Sequence, residues 1–432
     1  MKFAIGAFVK GTVGAVGAAG LLAATPALAD TTVIHVGSVL TDAGSAPTGP
    51  ATITVTDGRI VSIVDGFTPT PEGAEMVHLP DHTVLPGLID LHTHLSGDPS
   101  GEFWRAATTP PEWNVLVAAK NARITALAGF TTVRDLGSRT DQVTQMLRRA
   151  TAEGMVPGPR VVTSARTIAI VGGHGDVNGF RRGVGEALGT DFTCTGAVEC
   201  AEMVRTASKY GADLIKITAT GGVLSQQGRG LEAHFSDEEM KAIVDTANTL
   251  GLKVAAHAHG ARGIEAAARA GVQTIEHGTF IDEQAARVMR ENGTILVPTL
   301  MAFQGIKKNL GTGFYTPVVE EKIRATVSVA ESIVQRARQW NVKMAFGTDA
   351  GVFPHGENAG EFTQMMLGGM NAREALASAT TVAAEVIGLE NEIGRLAPGY
   401  SADIVAVKGN PLADITVLEE VDWTMVRGRV IE

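Results

Sequence analysis

The chain is poor in charged and in aromatic residues, which make up 19% and 5% of its 432 residues. It has two cysteines and no Cys-x-x-Cys pair, so a structural zinc site built from cysteines is excluded. The formal net charge of −10 lacks the basic excess that binding to nucleic acid requires. After residue 30, no apolar run reaches the roughly 18 residues of a membrane span. We therefore expect neither a nucleic-acid partner nor a membrane span in the mature chain.

Glycine, by contrast, is abundant, with 51 residues in the chain. The glycines show no three-residue period, which excludes a collagen-like protein. With 44% hydrophobic residues the chain can bury a large core, which excludes intrinsic disorder. The glycines are instead typical of an α/β protein that has many turns and many close backbone contacts.

The N-terminus has the features of a secretory signal peptide. Lys2 and Lys10 flank an apolar stretch that continues to Leu22, and Ala27-Leu28-Ala29 forms a small-residue cleavage site. Lys10 interrupts the apolar stretch, so an uncleaved anchor is the alternative. The sequence predicts that residues 1–29 are removed and that the mature protein is periplasmic or secreted.

Cys194 and Cys200 are separated by only five residues. In the oxidising compartment that the signal peptide predicts, such a local pair favours a disulfide. Two buried free thiols are the alternative.

The two ends of the chain are β-rich, whereas the middle alternates strands and helices. Short β-rich runs, with an Asp57-Gly58 hairpin signal, fill residues 32–80, and similar runs fill 403–431. Each end is too small for its own core. We therefore expect residues 30–84 and 390–432 to form one β-sandwich domain.

The middle segment, residues 85–389, contains eight β/α units, which predict a (β/α)8 TIM barrel and hence an α/β fold. An open doubly wound sheet is the alternative, but no Gly-x-Gly-x-x-Gly turn follows the first strand. Strands are expected at 84–91, 130–135, 160–164, 214–218, 253–256, 272–276, 295–298 and 344–347. Helices are expected at 114–127, 200–210, 237–250, 263–270, 283–291, 319–340, 371–377 and 381–386.

Several histidines stand at the ends of predicted strands. His92 and His94 end the first strand, and the two-residue period of a strand points both side chains the same way. His257 ends the fifth strand, His277 the sixth and Asp349 the eighth. One histidine at a strand end is usually structural. Five nitrogen and oxygen ligands at one rim of a barrel predict a metal site.

Lys216 lies inside an apolar strand, between Ile215 and Ile217. Strand alternation turns both isoleucines towards the helices and Lys216 into the barrel. A buried ammonium is costly unless it is paired or its pKa falls. A carbamate of Lys216, formed with CO2, is an anion that can bridge two metal ions. A Schiff-base lysine and a lysine paired with a carboxylate are the alternatives.

These residues together resemble the amidohydrolase superfamily, in its binuclear-metal form with a carboxylated lysine. The matching residues are His92, His94, Lys216, His257, His277 and Asp349. Longer matching phrases resemble the Xaa-Pro dipeptidase and imidazolonepropionase-like branch, which also holds ochratoxin-degrading amidohydrolases. They are 85–94 (LPGLIDLHTH), 172–175 (GGHG), 220–225 (TGGVLS), 347–351 (GTDAG) and 394–403 (GRLAPGYSAD).

The resemblance implies two divalent metal ions, for which zinc suits the ligands. The resemblance assigns His92, His94 and Asp349 to one ion and His257 and His277 to the other. Carboxylated Lys216 and a hydroxide would bridge the ions, and Asp349 would carry the proton to the leaving amine. Lys216 and Asp349 are thus the implied catalytic residues.

Three further residues are expected at the substrate. The resemblance places His174, which lies in a glycine-rich loop, at the substrate. It places His259 just above the metals, where its side chain can hydrogen-bond the scissile carbonyl. Arg229 can pair bidentately with a substrate carboxylate. The alternatives are that His174 is a turn residue, that His259 is a supporting or loop histidine, and that Arg229 is a solvated loop arginine.

The sequence therefore predicts an exported, metal-dependent hydrolase of amide bonds. Its expected substrates are dipeptides or N-acyl amino acids, with ochratoxin A among the candidates. A cyclic-amide hydrolase of the imidazolonepropionase type is the alternative, although export disfavours a step of histidine breakdown. Two alternatives come from other classes of protein. One is a metal-free Schiff-base lyase that uses Lys216, and the other is a non-enzymatic metal-binding protein. Barrels of this branch often assemble, which is compatible with a homo-oligomer, but the sequence carries no interface signature.

Overall fold

The computed structural model describes residues 30–138, 140–189 and 192–432. The predicted signal peptide, residues 1–29, lies outside this part of the chain, so its cleavage and the export of the protein stay predictions. Among the residues described, no helix combines the length and the apolar character needed to cross a membrane.

Strands and helices alternate through most of the chain. The strands are β1 Thr31–Val39, β2 Ala51–Thr56, β3 Arg59–Asp65, β4 Glu75–Pro86, β5 Leu88–Thr93, β6 Phe130–Asp135, β7 Arg160–Thr163, β8 Thr167–Ile170, β9 Thr193–Cys194, β10 Ile215–Thr218, β11 Val254–Ala258, β12 Thr274–His277, β13 Ile295–Val297, β14 Ile404–Lys408, β15 Val421–Val426 and β16 Arg429–Val430. The α-helices are α1 Pro111–Leu127, α2 Val143–Glu153, α3 Arg182–Leu188, α4 Ala197–Lys209, α5 Asp237–Thr249, α6 Ala261–Ala270, α7 Glu283–Asn292, α8 Leu300–Lys308, α9 Pro317–Ala330, α10 Ile333–Gln339, α11 Gly360–Leu367, α12 Ala372–Ser378 and α13 Thr381–Val386.

Strands from both ends of the chain pair in one seven-stranded sheet, in the order β16-β15-β14-β4-β1-β2-β3. Strand β14 runs antiparallel to β4, with Ile404 opposite Pro86. The apolar side chains of this sheet form a core of their own, which includes Ile34 and Ile53. The β2–β3 hairpin turns at Asp57, whose positive φ of 50° suits the Asp-Gly turn expected from the sequence. The structure gives this region as a single sheet, and its closure into a sandwich stays a prediction.

The parallel strands of the middle segment lie in two sheets, β5-β6-β7 and β13-β12-β11-β10-β8-β9. Strands β10, β11 and β12 are buried at every residue, as parallel strands are when helices cover them. Residues 343–350 run between the two sheets. On one side Ala345 N donates to Leu296 O at 2.9 Å, and on the other Leu91 N donates to Phe346 O at 3.1 Å.

The expected strand at 84–91 was wrong, because two strands of different sheets meet there. Strand β4 ends at Pro86 in the terminal sheet, and β5 begins at Leu88. Between them Gly87 passes so close to Thr131 that a Cβ would lie 2.0 Å from its Oγ1. Glycine therefore allows the chain to pass from one sheet to the other at this point.

Two further expectations needed correction. The strand predicted at 344–347 is reduced to an isolated bridge between Met344 and Leu296. The single helix predicted at 319–340 is divided into α9 and α10, because Ser332 Oγ donates to Val329 O at 2.9 Å and competes with the helical hydrogen bonds.

A disulfide joins Cys194 of β9 to Cys200 of α4, and both residues are buried. It fastens the short strand to the helix that follows it along the chain. Both elements lie next to β8, which pairs with β10, the strand that carries Lys216.

Candidate metal centre

The structure brings the six predicted metal ligands together at the carboxyl ends of the parallel strands. They are His92 on β5, His94 just after it, Lys216 on β10, His257 on β11, His277 on β12 and Asp349 in the segment 343–350. All are buried apart from His94, whose side chain is 31% exposed. These side chains form two groups, each able to hold a metal ion.

The first group consists of His92, His94 and Asp349, whose ligand atoms all lie within 4.8 Å of one another. Asp349 Oδ1 is 3.4 Å from Nε2 of both histidines. On the far side of the rings, His92 Nδ1 donates to Glu276 Oε2 at 2.9 Å and His94 Nδ1 donates to Gly137 O at 2.8 Å. Because each Nδ1 carries the proton, each Nε2 presents its lone pair towards Asp349, as a metal ligand requires.

The second group consists of His257, His259 and His277, also with ligand atoms within 4.8 Å. His257 Nε2 donates to Gly221 O at 3.1 Å, which turns the Nδ1 lone pair of that ring to the opposite side. His277 Nδ1 donates to Thr299 Oγ1 at 2.7 Å, since that hydroxyl gives its own proton to a backbone carbonyl. His259, expected only at the substrate, thus lies within a group able to bind metal.

Lys216 lies beside the first group, with Nζ 3.5 Å from His92 Nε2, and is 3% exposed. Burial lowers the pKa of Lys216 to about 8, although the charges of Glu276 and Asp349 oppose this shift. A lysine with such a pKa holds a fraction of neutral amine near pH 7, which is the form that reacts with CO2. The site therefore fits a carbamate chemically.

Burial also sets the charge of the ligands. It raises the pKa of Asp349 to about 7, against the opposing charge of Lys216. It lowers the pKa of His257 and of His277 well below their usual value, and neighbouring imidazoles add to that effect. Neutral imidazoles are the form that binds a divalent ion, so the second group needs no proton loss at neutral pH.

Beneath the first group lies a buried ion pair that the sequence argument missed. Glu276, fully buried, accepts from His92 Nδ1 and also from Arg134 Nη2 at 2.8 Å. Arg134 Nε donates to Leu91 O at 2.6 Å, which fixes the guanidinium between strands. Both charges stand inside apolar strands, as Lys216 does, so strand alternation offered a signal that could have found them.

A second missed residue, Asp90, links β5 to the segment that carries Asp349. Its carboxylate accepts from the backbone N and the hydroxyl of Thr348, at 3.1 and 2.6 Å, and from Asn358 Nδ2 at 2.8 Å. The next residue, Asp349, has a positive φ of 62°, an unfavourable backbone for a residue other than glycine. Asp90 thus helps to hold the strained residue that completes the first group.

The three residues expected at the substrate lie at different distances from these groups. His259 belongs to the second group, and the ring of His174 lies tilted against that of His257, with centroids 4.4 Å apart. Arg229 is exposed in the loop after β10, with its guanidinium close to Gly172 of the His174 loop. It therefore lies at the rim of the site, outside both ligand groups.

Comparison with known proteins identifies the family to which this chain belongs. Residues 83–431 match the model of the amidohydrolase family, so the chain belongs to that family and is a hydrolase acting on C–N bonds. The resemblance inferred from the sequence motifs is thereby confirmed.

Three members of the comparison are similar to this chain over most of its length. Ochratoxinase of Aspergillus niger is 30% identical over 417 residues, which cover 91% of this chain and 84% of ochratoxinase. A Xaa-Pro dipeptidase, whose crystal structure has methionine bound in the active site, is 38% identical in sequence. The two structures superpose with a TM-score of 0.86 over 93% of this chain and all of the dipeptidase chain. Imidazolonepropionase of Ectopseudomonas mendocina is 27% identical over 389 residues, covering 80% of this chain and 82% of that enzyme.

Proposed function

We propose that the protein is a binuclear metal-dependent amidohydrolase that cleaves dipeptides or N-acyl amino acids. Xaa-Pro dipeptides and ochratoxin A are the first candidates. The observation that carries the proposal is the pair of adjacent ligand groups with buried Lys216 beside them. The Xaa-Pro dipeptidase and ochratoxinase relatives support the choice of substrates.

The fold behind this activity is a (β/α)8 barrel of residues 85–389 with a smaller β domain of residues 30–84 and 390–432. The hydrogen bonds of residues 343–350 to β13 and to β5 support closure of the parallel strands into a ring. Such a ring brings strand ends from distant parts of the chain to one face, as the site requires.

The two groups fit two divalent ions, zinc in the first instance. His92, His94 and Asp349 would hold one ion, and His257 and His277 would hold the other. Lys216, in a carboxylated form, would complete the ligand set. When bound, the ions polarise the scissile carbonyl and lower the pKa of water towards neutrality.

The side chains carry out the proton transfers. Asp349 accepts a proton from the attacking water and delivers it to the nitrogen of the leaving amine, so the amine departs neutral. Asp349 is suited to this role by its place beside both histidines of the first group, with Oδ1 3.4 Å from each Nε2.

The substrate is held by residues around the second group. His259 and His174, both next to His257, donate hydrogen bonds to the carbonyl oxygen of the amide and orient it. Arg229, at the rim, pairs with the terminal carboxylate, which suits both a dipeptide and an N-acyl amino acid.

A cyclic-amide hydrolase is the second candidate, and the relationship to imidazolonepropionase favours it. We also propose that the protein is exported, because disulfides such as Cys194–Cys200 persist mainly in oxidising compartments.

One experiment tests the proposed activity and the proposed metal content together. The purified protein is assayed on Xaa-Pro dipeptides, N-acyl amino acids, ochratoxin A and imidazolonepropionate, and metal content is measured on the same sample. Two ions per chain with hydrolysis of a linear amide are the expected result. Turnover of the cyclic amide alone would move the assignment to the second candidate. A metal-free, active protein that borohydride traps with a carbonyl substrate would replace both by Schiff-base chemistry.

A further inference from the structure

Lys322 is a buried charge to which the mechanism above gives no role. It lies on α9, is 7% exposed, and its Nζ donates to three backbone carbonyls. They are Gly222 O at 2.9 Å, Ser225 O at 2.6 Å and Gln227 O at 3.2 Å. A lysine ammonium has three N–H donors, so this set of acceptors uses all of them.

All three carbonyls belong to residues 220–230, which we call the substrate loop. This loop touches rings on which the site depends. Gly221 O accepts from His257 Nε2, and Ser225 Oγ lies 2.5 Å from His174 Nδ1. At Gly222 the loop presses so closely on His174 that a Cβ would lie 2.2 Å from that ring. Small movements of the loop backbone would therefore displace both rings.

A second contact joins the same helix to the same loop. Thr316, the residue that precedes the first turn of α9, donates from Oγ1 to Gln226 Oε1 at 2.8 Å. Thr316 at the start of α9 and Lys322 further along it therefore bind the loop at two separate points. The helix is thus a fixed support for a segment that has little regular structure of its own.

A lysine suits this position physically. Carbonyls turned inwards by a loop are costly to bury without a donor, and an ammonium satisfies several with charge-assisted hydrogen bonds. Burial lowers the pKa of Lys322 to about 8, which still leaves the ammonium as the main form at pH 7. An uncharged side chain of equal length would leave Gly222, Ser225 and Gln227 without this partner.

We propose that Lys322 is a positioning residue, which fixes the substrate loop so that Ser225 orients His174 and Gly221 orients His257. It acts through these residues and does not touch the reacting atoms. The kinetic consequence rests on the proposed function. The consequence for the mobility of the loop does not.

The test uses the metal-loaded full chain, with Lys322→Met to remove the charge at similar length and Lys322→Arg to keep it. Lys308→Met is the matched control, because Lys308 is an exposed lysine on α8 whose partner is the surface residue Glu357. Lys322→Met is expected to lower kcat/KM about ten- to hundredfold, mainly through KM, because His174 is displaced. Lys322→Arg should recover part of this loss, and Lys308→Met should match the wild type.

Hydrogen exchange of the loop amides gives a readout that needs no substrate. Lys322→Met should speed exchange in residues 220–230 and leave the other strand ends unchanged. If that variant folds poorly, Thr316→Val removes only the contact to Gln226 and should speed exchange in the same residues to a smaller degree. Wild-type exchange rates in both variants would overturn the proposal even if no substrate has been found.

A double-mutant cycle with Ser225→Ala tests the route of the effect. Because both changes displace His174, their penalties on kcat/KM should overlap and the double variant should be little worse than Lys322→Met alone. Penalties that multiply would contradict action through Ser225. A wild-type enzyme that hydrolyses no amide would instead refute the proposed function, and the exchange result would still stand.

Discussion

The two ligand groups differ in the chemistry that supports them. In the first, a carboxylate is itself a ligand, and His92 is held by a second carboxylate, Glu276, which is paired with Arg134. In the second, all three side chains are imidazoles, of which His257 and His277 are the proposed ligands, and His277 is held by a neutral hydroxyl of Thr299. A carboxylate behind a histidine makes the ring a stronger donor to metal than a hydroxyl does. The first group should therefore bind its ion more tightly.

The two groups also differ in the pKa values of their side chains. In the metal-free protein, burial raises the pKa of Asp349 to about 7, so this carboxyl exchanges a proton near neutral pH. Burial lowers the pKa of His257 and of His277 well below 6.5, so these imidazoles stay neutral. Asp349 is therefore the candidate proton carrier, and the imidazoles of the second group are the candidates for binding and orientation.

The largest effect should follow from removing Lys216, the residue proposed to serve both groups. Lys216→Ala is expected to lose both ions and all measurable turnover, because the proposed carbamate, the anion shared by the two ions, is lost. Metal analysis and an activity assay measure this, with the exposed Lys241→Ala as control. An active Lys216→Ala enzyme with two ions would exclude the carbamate.

Asp349→Asn should separate proton transfer from folding. The amide keeps the shape of the carboxylate but cannot carry the proton, so kcat should fall by about 10² to 10⁴, while circular dichroism stays that of the wild type. Turnover within a factor of a few of the wild type would remove Asp349 from the mechanism and would make the two groups equivalent.

A matched pair of variants compares the supports of the two groups. Glu276→Gln should weaken binding of the first ion by about 10- to 100-fold, because His92 loses its carboxylate partner. Thr299→Val, nearly isosteric, should weaken binding of the second ion by about fivefold, the equivalent of one neutral hydrogen bond. Chelator competition measures both affinities. The reverse order of effects would show that the hydroxyl, and not the carboxylate, dominates.

The smallest effect concerns the metal-free protein, whose stability should depend on pH in opposite ways through Asp349 and through the buried histidines. Asp349 has its pKa raised on folding, so between about pH 4 and 7 the native state binds the proton more tightly and stability falls as pH rises. His257 and His277 have lowered pKa values, so stability falls as pH drops below 6.5. Thermal unfolding of the metal-free Asp349→Asn variant should lose the first slope and keep the second. Unchanged slopes would contradict these assignments.

The sequence alone predicted a large part of this site, and the reason is strand geometry. His92, His94 and Lys216 could be placed on one face because alternation along a strand is strict. Glu276 obeys the same rule, and the adjacent His277 reaches the same site only because its φ of 73° breaks the alternation. The predicted strand at 84–91 failed, however, since no local pattern shows that Gly87 carries the chain from one sheet to another.

Contacts between distant segments were beyond the reach of such reasoning. Lys322 reads in the sequence as one of several charges on a helix, and only packing brings it to Gly222. The grouping of His259 with His257 and His277 depends likewise on how β11 and β12 lie side by side. Local periodicity predicts where a side chain points, and the tertiary fold decides what it meets.

The seven-stranded sheet has a consequence for the order in which the chain can fold. Strand β4 lies between β1, which is synthesised before it, and β14, which is synthesised long after it. Until β14 emerges from the ribosome, one edge of β4 has unpaired backbone groups, and such an edge invites pairing with other chains. The sheet can therefore be completed only after nearly the whole described chain has been made. A newly made chain would gain from being kept unfolded until that point.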